Sequence, residues 1–233
     1  MRMTDLPITR ILPELLATLQ ITSNVVLSAA PGAGKTTRVP LELLTIIPPE
    51  AGRIIMLEPR RIAAASAARY MAQSLGEQVG QTVGYTIRFE SKVSNATRIE
   101  VVTEGVLTRR IQNDPELSGV ACVIFDEFHE RSIQGDLGLA LCLETQAALR
   151  PDLKLLVMSA TLDCGPIVRL LGDAPVVVSQ GLSFPVQVIY PTVSDTQSLA
   201  RQMASVIKTA LAEENGDLLA FLPGTGEIRA VER

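Results

Sequence analysis

Asn24-Val25-Val26-Leu27-Ser28-Ala29-Ala30-Pro31-Gly32-Ala33-Gly34-Lys35-Thr36-Thr37 is an apolar run that feeds directly into a loop with two glycines, then a lysine and two threonines. The run reads as a strand and the residues after Gly34 as the start of a helix. The loop between them has the parts a bound triphosphate needs. Gly32 and Gly34 can adopt backbone conformations closed to other residues, so Ala30-Pro31-Gly32-Ala33-Gly34 can curl its N–H groups inward. The following helix points its positive end at the anion. Lys35 would reach the β/γ-phosphates and Thr36 would ligate Mg²⁺. The usual pattern starts with glycine six positions before the lysine, where this chain has Ala29. A strand-to-helix turn that binds nothing stays open as the reading of this string alone.

A second apolar run, Val120 to Phe125, ends in Asp126-Glu127-Phe128-His129. Acids at the C-terminal end of a parallel strand lie where open α/β sheets bind ligands. Asp126 can hold Mg²⁺ through its water, and Glu127, one residue on, can polarise an attacking water as general base. Thr36, Asp126 and Glu127 then make up the oxygen set around the metal. His129 is the chain's only histidine and follows the acids rather than sitting on an apolar face. The plain alternative for Asp-Glu is a favourable charge pair at a helix N-terminus.

The 233 residues suggest one full domain and part of another, and 47% apolar residues suffice for a core. No apolar run approaches the roughly 18 residues of a membrane span. Asp5, Pro7, Pro13 and Glu14 interrupt the first residues, which therefore do not read as a signal peptide. Cys122, Cys142 and Cys164 lack metal-like spacing and read as reduced core thiols of a cytoplasmic protein. A net charge of −4 means that any surface for nucleic acid must be local.

Strand and helix patterns alternate, which predicts βαβ units and a largely parallel sheet. Helices are expected at 8–20, 36–44, 62–75, 105–112, 133–149 and 165–171. Strands are expected at 24–28, 53–57, 83–88, 97–102, 120–125 and 153–158, with the first domain closing near 176–179. After Gly181 a second unit is expected, with strands at 186–190 and 218–222 and helices at 196–213 and from 227. Some fifty residues are too few for an independent α/β core, so the chain's end at Arg233 reads as a truncation.

Further strings gain meaning together. Pro59-Arg60-Arg61 places guanidinium groups past a strand end, Thr103-Glu104-Gly105 opens a helix, and Ser159-Ala160-Thr161 follows the strand after the acids. Each alone could be a solvated loop, a cap or a turn. In series with Gly34-Lys35-Thr36-Thr37, Gly84-Tyr85, Ile87-Arg88-Phe89-Glu90, Asp126-Glu127-Phe128-His129-Glu130-Arg131 and Phe221-Leu222-Pro223-Gly224, they resemble the superfamily 2 DEAH-box helicases, most closely bacterial members.

That resemblance covers the whole chain. It implies a RecA-like three-layer α/β domain with a mainly parallel sheet over 1–181, and the start of a second, incomplete RecA-like domain over 182–233. It implies ATP with Mg²⁺, and single-stranded nucleic acid, RNA rather than DNA, as partner. By residue matching, Lys35 and Thr36 bind phosphate and metal. Asp126 and Glu127 serve metal and water, and His129 with Ser159 and Thr161 couples hydrolysis to strand movement. Arg69 matches an arginine that stacks on the nucleotide base, and Arg60, Thr103 and Arg109 match strand contacts. Ala29 and Phe128 depart from the family pattern without removing a reacting group. The arginine finger is expected beyond Arg233. A small-molecule P-loop phosphotransferase and a catalytically deficient binding fragment are the competing readings.

Overall fold

The computed structural model describes residues 6–160, 164–180, 186–191 and 198–232. The chain divides into two compact units, Met1–Ser183 and Phe184–Arg233.

The first unit contains an eight-stranded sheet built from β1 (Asn24–Ala29), β2 (Arg53–Glu58), β3 (Val83–Ile87), β4 (Glu90–Lys92), β5 (Ile99–Thr103), β6 (Val120–Phe125), β7 (Lys154–Ser159) and β8 (Val176–Ser179). Their order is β4-β3-β5-β2-β6-β7-β1-β8. Every pairing is parallel except the β3–β4 hairpin. The helices are α1 (Leu12–Ile21), α2 (Lys35–Leu43), α3 (Arg61–Ser74), α4 (Glu104–Asn113), α5 (Ile133–Ala148) and α6 (Gly165–Leu170).

Successive strand side chains point to opposite faces, and here both faces are covered. Val25, Leu27, Ile54, Met56, Cys122, Ile124, Leu156 and Met158 pack in one core with α1, α2 and α3. Val26, Ile55, Leu57, Val123, Phe125, Leu155 and Val157 pack in the other with residues of α4 and α5. This two-sided burial explains the unbroken apolar strands and makes the unit three-layered. The three cysteines are buried, as expected of core thiols.

Differences from the sequence reading are local. The expected helix at 8–20 is divided into a 3-10 turn, Pro7–Arg10, and α1, with Pro13 in its first turn, where a missing N–H costs nothing. The hairpin strand β4 went unread because its three residues are all exposed and give no apolar pattern. Gly52, before β2, has φ +120°, and a Cβ there would lie 2.5 Å from the Gly119 carbonyl oxygen.

In the second unit, the described residues form α7 (Leu199–Glu213) and α8 (Thr225–Glu232). The expected strands at 186–190 and 218–222 are not formed there. Val186, Tyr190, Leu219 and Phe221 are each at least 78% exposed. A strand exists through ladder hydrogen bonds to a neighbour, and among the described residues these runs are not paired with one.

Candidate functional site

The parallel sheet brings the C-terminal ends of β1, β2, β6 and β7 to one edge. The order β2-β6-β7-β1 places the loops after these strands side by side. Gly34, at φ +92° and ψ 13°, is the N-cap of α2. Gly32 is also left-handed, at φ +75°. These two conformations let the loop curl before α2 begins at Lys35, with the helix's first amides facing the sheet edge.

Lys35 and Glu127 meet there. Lys35 Nζ donates to Glu127 Oε1 at 2.8 Å, with the lysine side chain 4% exposed and the glutamate 29%. Thr36 Oγ1 donates to Asp126 Oδ2 at 2.5 Å. The Glu127 amide in turn donates to Asp126 Oδ1 at 2.8 Å. Glu127 itself has φ +48° and ψ 33°, the left-handed region that costs a non-glycine residue roughly 1–2 kcal/mol. Backbone strain of this kind collects at functional sites. Here it turns the chain sharply after β6, so that Asp126 and Glu127 meet different partners of the phosphate loop.

A third acid completes the cluster. Glu58 ends β2, next to β6 in the sheet, and is 4% exposed. Burial first, and the neighbouring Asp126 carboxyl second, push Glu58 up to about 8. Two adjacent carboxyls in a dry setting cannot both ionise cheaply. Asp126 is also raised, by burial above all, against the opposing pull of its Thr36 hydrogen bond and the Lys35 charge. Sequence reading missed Glu58, although an apolar run ending in an acid is the same signal as at Asp126.

His129 Nδ1 accepts from the Ala160 amide at 3.2 Å and lies 3.4 Å from Glu127 Oε2. The ring thus links the acid loop to the loop after β7. Ser159 is buried at the end of β7, in register with Ser28 of β1. Thr161 lies outside the described residues.

The remaining sequence candidates fall elsewhere. Arg60 Nη2 donates to both Glu130 oxygens at 2.7 Å. With the arginine side chain 71% exposed, such a pair is worth at most about 1 kcal/mol and leaves Arg60 available to a phosphate. Thr103 is the half-buried N-cap of α4, and Arg109 is exposed on that helix. Arg69 does not join the phosphate loop. Its guanidinium donates to the Tyr85 hydroxyl at 3.4 Å and lies 5.7 Å over that ring. Arg69 borders a hollow with Ile62, Ala65, Ile87 and Glu90, which shares Arg60 and Ala63 with the hollow lined by Thr36 and Thr37.

Thr36 and Asp126 offer a hydroxyl and a carboxylate at one point, the hard oxygen donors that suit Mg²⁺. Among the described residues no group of three or more His, Cys, Asp or Glu forms a ready metal cage. Mg²⁺ is held with few protein ligands, the rest being water and substrate phosphate, so the donor set fits.

The model of the DEAD/DEAH box helicase family matches residues 9–169, spanning the phosphate loop and both acids. The chain is 53% identical over 230 residues to the ATP-dependent RNA helicase HrpB of Escherichia coli, covering 99% of this chain and 28% of that protein. It is 35% identical over 207 residues to the ATP-dependent RNA helicase HrpA homolog of Haemophilus influenzae, covering 88% of this chain and 16% of that one. A crystal structure of the E. coli DEAH/RHA helicase HrpB superposes with a TM-score of 0.91, over 98% of this chain and 29% of that one. The chain therefore spans less than a third of the length of these relatives. The RecA-like layering, the phosphate loop beside the acid pair, and the match across 9–169 lead to one conclusion: this chain belongs to the DEAD/DEAH box helicase family.

Proposed function

We propose that this chain binds and hydrolyses Mg-ATP and couples that hydrolysis to movement along, or unwinding of, nucleic acid, with single-stranded RNA rather than DNA as the partner. One observation carries the reading: Lys35, Thr36, Asp126 and Glu127 converge from two distant loops on a single point. In this reading, residues 1–181 are the ATP-binding domain and 182–233 begin the second RecA-like domain.

The ion pair and hydrogen bonds mark the positions that a nucleotide would take over. Lys35 would turn from Glu127 to the β/γ-phosphates, freeing the Glu127 carboxylate to accept a proton from the attacking water. Thr36 and Asp126 would hold Mg²⁺, directly and through its water. The metal would supply charge neutralisation between the phosphates. Amides of the loop from Ala30 to Gly34, with Thr37, would hold the remaining phosphate oxygens. His129, bonded to Ala160, and the hydroxyls of Ser159 and Thr161 would pass the state of the site to the strand-binding surface, with Arg60, Thr103 and Arg109 as phosphate contacts. The relatives' description as RNA helicases favours RNA.

The test is ATP turnover by the protein carrying this chain, with single-stranded RNA or single-stranded DNA, at two salt concentrations. Stimulation by RNA that weakens with salt is expected. Turnover indifferent to either polymer, yet raised by a small phosphate acceptor, would overturn the reading.

A further inference from the structure

Glu104 and Ser132, 28 residues apart in the chain, meet where the N-terminal ends of two helices come together. Ser132 is the N-cap of α5, its hydroxyl accepting from the Gly135 amide at 2.8 Å. The same hydroxyl donates to Glu104 Oε1, in the first turn of α4, at 2.7 Å. One oxygen thus uses both its donor and its acceptor capacity to join the helices. Gly135 makes the room, because a Cβ there would lie 2.9 Å from Glu104 Oε1 and 3.1 Å from Ser132 Oγ. One turn on, a Cβ at Gly138 would lie 3.4 Å from Leu107 of α4, so the two helices run close.

On the α5 side, Ser132 follows Glu127 by five residues, and the turn between them is held at both ends. The Glu130 and Arg131 amides donate to the Glu127 and Phe128 carbonyls. The Arg131 guanidinium lies 5.5 Å over the Phe128 ring and donates to both oxygens of Asp136, in the first turn of α5, at 3.0 and 2.8 Å. Glu104, Ser132 and Gly135 also line one hollow of about 90 Å³ with Asp126 and Glu127. That is far below the roughly 300–1,000 Å³ of ligand sites, so the joint and the acids border a narrow gap.

We infer that Glu104 is a positioning residue that passes strand occupancy at Thr103 and Arg109, through Ser132, to the carboxylate of Glu127. The inference rests on the reading above, which takes α4 as a strand contact and Glu127 as the base. Coupling between sites is carried by contiguous hydrogen bonds and rigid elements. A strand phosphate drawn to Thr103 would shift the first turn of α4. Glu104 would carry that shift to Ser132, and the short braced turn would carry it back to Glu127. Glu104 acts on the reaction only by fixing where Glu127 stands.

The experiment measures steady-state ATP turnover by the protein carrying this chain, without RNA and over a range of single-stranded RNA concentrations. The variants are Glu104→Ala, Glu104→Gln, Ser132→Ala and the double alanine change. In Glu104→Ala the basal rate and the half-stimulating RNA concentration should hold, while the maximal stimulated kcat falls about tenfold, the factor one hydrogen bond to a charged group can carry. Glu104→Gln should restore most of that loss, because the amide oxygen still accepts from Ser132. Ser132→Ala should lower stimulation at least as far, and adding Glu104→Ala to it should change nothing more. Full stimulation in Glu104→Ala would overturn the inference. So would a change confined to the half-stimulating RNA concentration, which would place Glu104 on the strand, or a parallel fall of basal and stimulated rates, which a purely structural role predicts. An unmodified protein that RNA does not stimulate would instead sink the coupling reading on which the inference rests.

Discussion

Lys35 Nζ and Glu127 Oε1 stand 2.8 Å apart although 92 residues separate them in the chain. Between their two strands, β1 and β6, runs β7, so the pair reaches across the end of a third strand. An ammonium only 4% exposed needs a counter-charge, and Glu127 provides it.

The first prediction separates the two partners. Glu127→Gln should leave Mg-ATP affinity unchanged or slightly higher, because the rival carboxylate charge is gone, while hydrolysis falls by about 10²–10⁴. Lys35→Ala should lose both, with affinity reduced about 100-fold or more, since an ammonium about 4 Å from one phosphate charge is worth roughly 4 kcal/mol near a protein surface. Titration with a fluorescent nucleotide, alongside phosphate release, reads both quantities. Equal losses of affinity in the two variants would show the roles to be misassigned.

Thr36 and Asp126 should be distinguishable from that pair by their metal dependence. Asp126→Asn removes a carboxylate charge but retains an acceptor for Thr36, so nucleotide affinity without Mg²⁺ should be preserved. The Mg²⁺ concentration needed for half-maximal turnover should rise by about tenfold or more. A Mg²⁺ requirement identical to that of the unmodified chain would exclude Asp126 from the metal's shell.

Glu58 makes nucleotide-free stability depend on pH. Its carboxyl titrates near 4.5 when unfolded and is raised to about 8 in the fold, with Asp126 raised in the same sense. Between these values the folded state holds a proton that the unfolded chain has released. Stability is therefore full below about pH 4.5 and falls as pH rises toward 8. One such proton gives a slope of at most about 1.4 kcal/mol per pH unit. Urea midpoints at pH 5.5 and pH 8 should differ less in Glu58→Gln than in the unmodified chain, and matching slopes would refute the assignment.

Gly52→Ala tests the fold away from the site. With φ at +120° and a new Cβ 2.5 Å from the Gly119 carbonyl oxygen, the loop before β2 must shift. A loss of about 2–4 kcal/mol in unfolding free energy is expected, with nucleotide affinity of the folded fraction unchanged. Chemical denaturation measures the first and nucleotide titration the second.

Much of this was legible in the chain itself. The parallel sheet follows from Val25–Leu27, Ile54–Leu57, Val120–Phe125 and Leu155–Met158, apolar runs with no polar alternation, which only a sheet covered on both faces accommodates. The phosphate loop and the acid pair were legible because their chemistry depends on a few residue types at fixed local spacing. What escaped the sequence depended on neighbours. The runs at 186–190 and 218–222 look like strands, yet a strand is formed only by pairing.

Local order along the chain thus determined the strands, the loop and the acids, because backbone geometry and side-chain chemistry act over a few residues. Only the tertiary structure decided that Glu58 joins Asp126 and that Arg69 bonds to Tyr85. The first depends on which strands lie side by side, and the second on the packing of α3 against β3, neither of which is visible in local spacing.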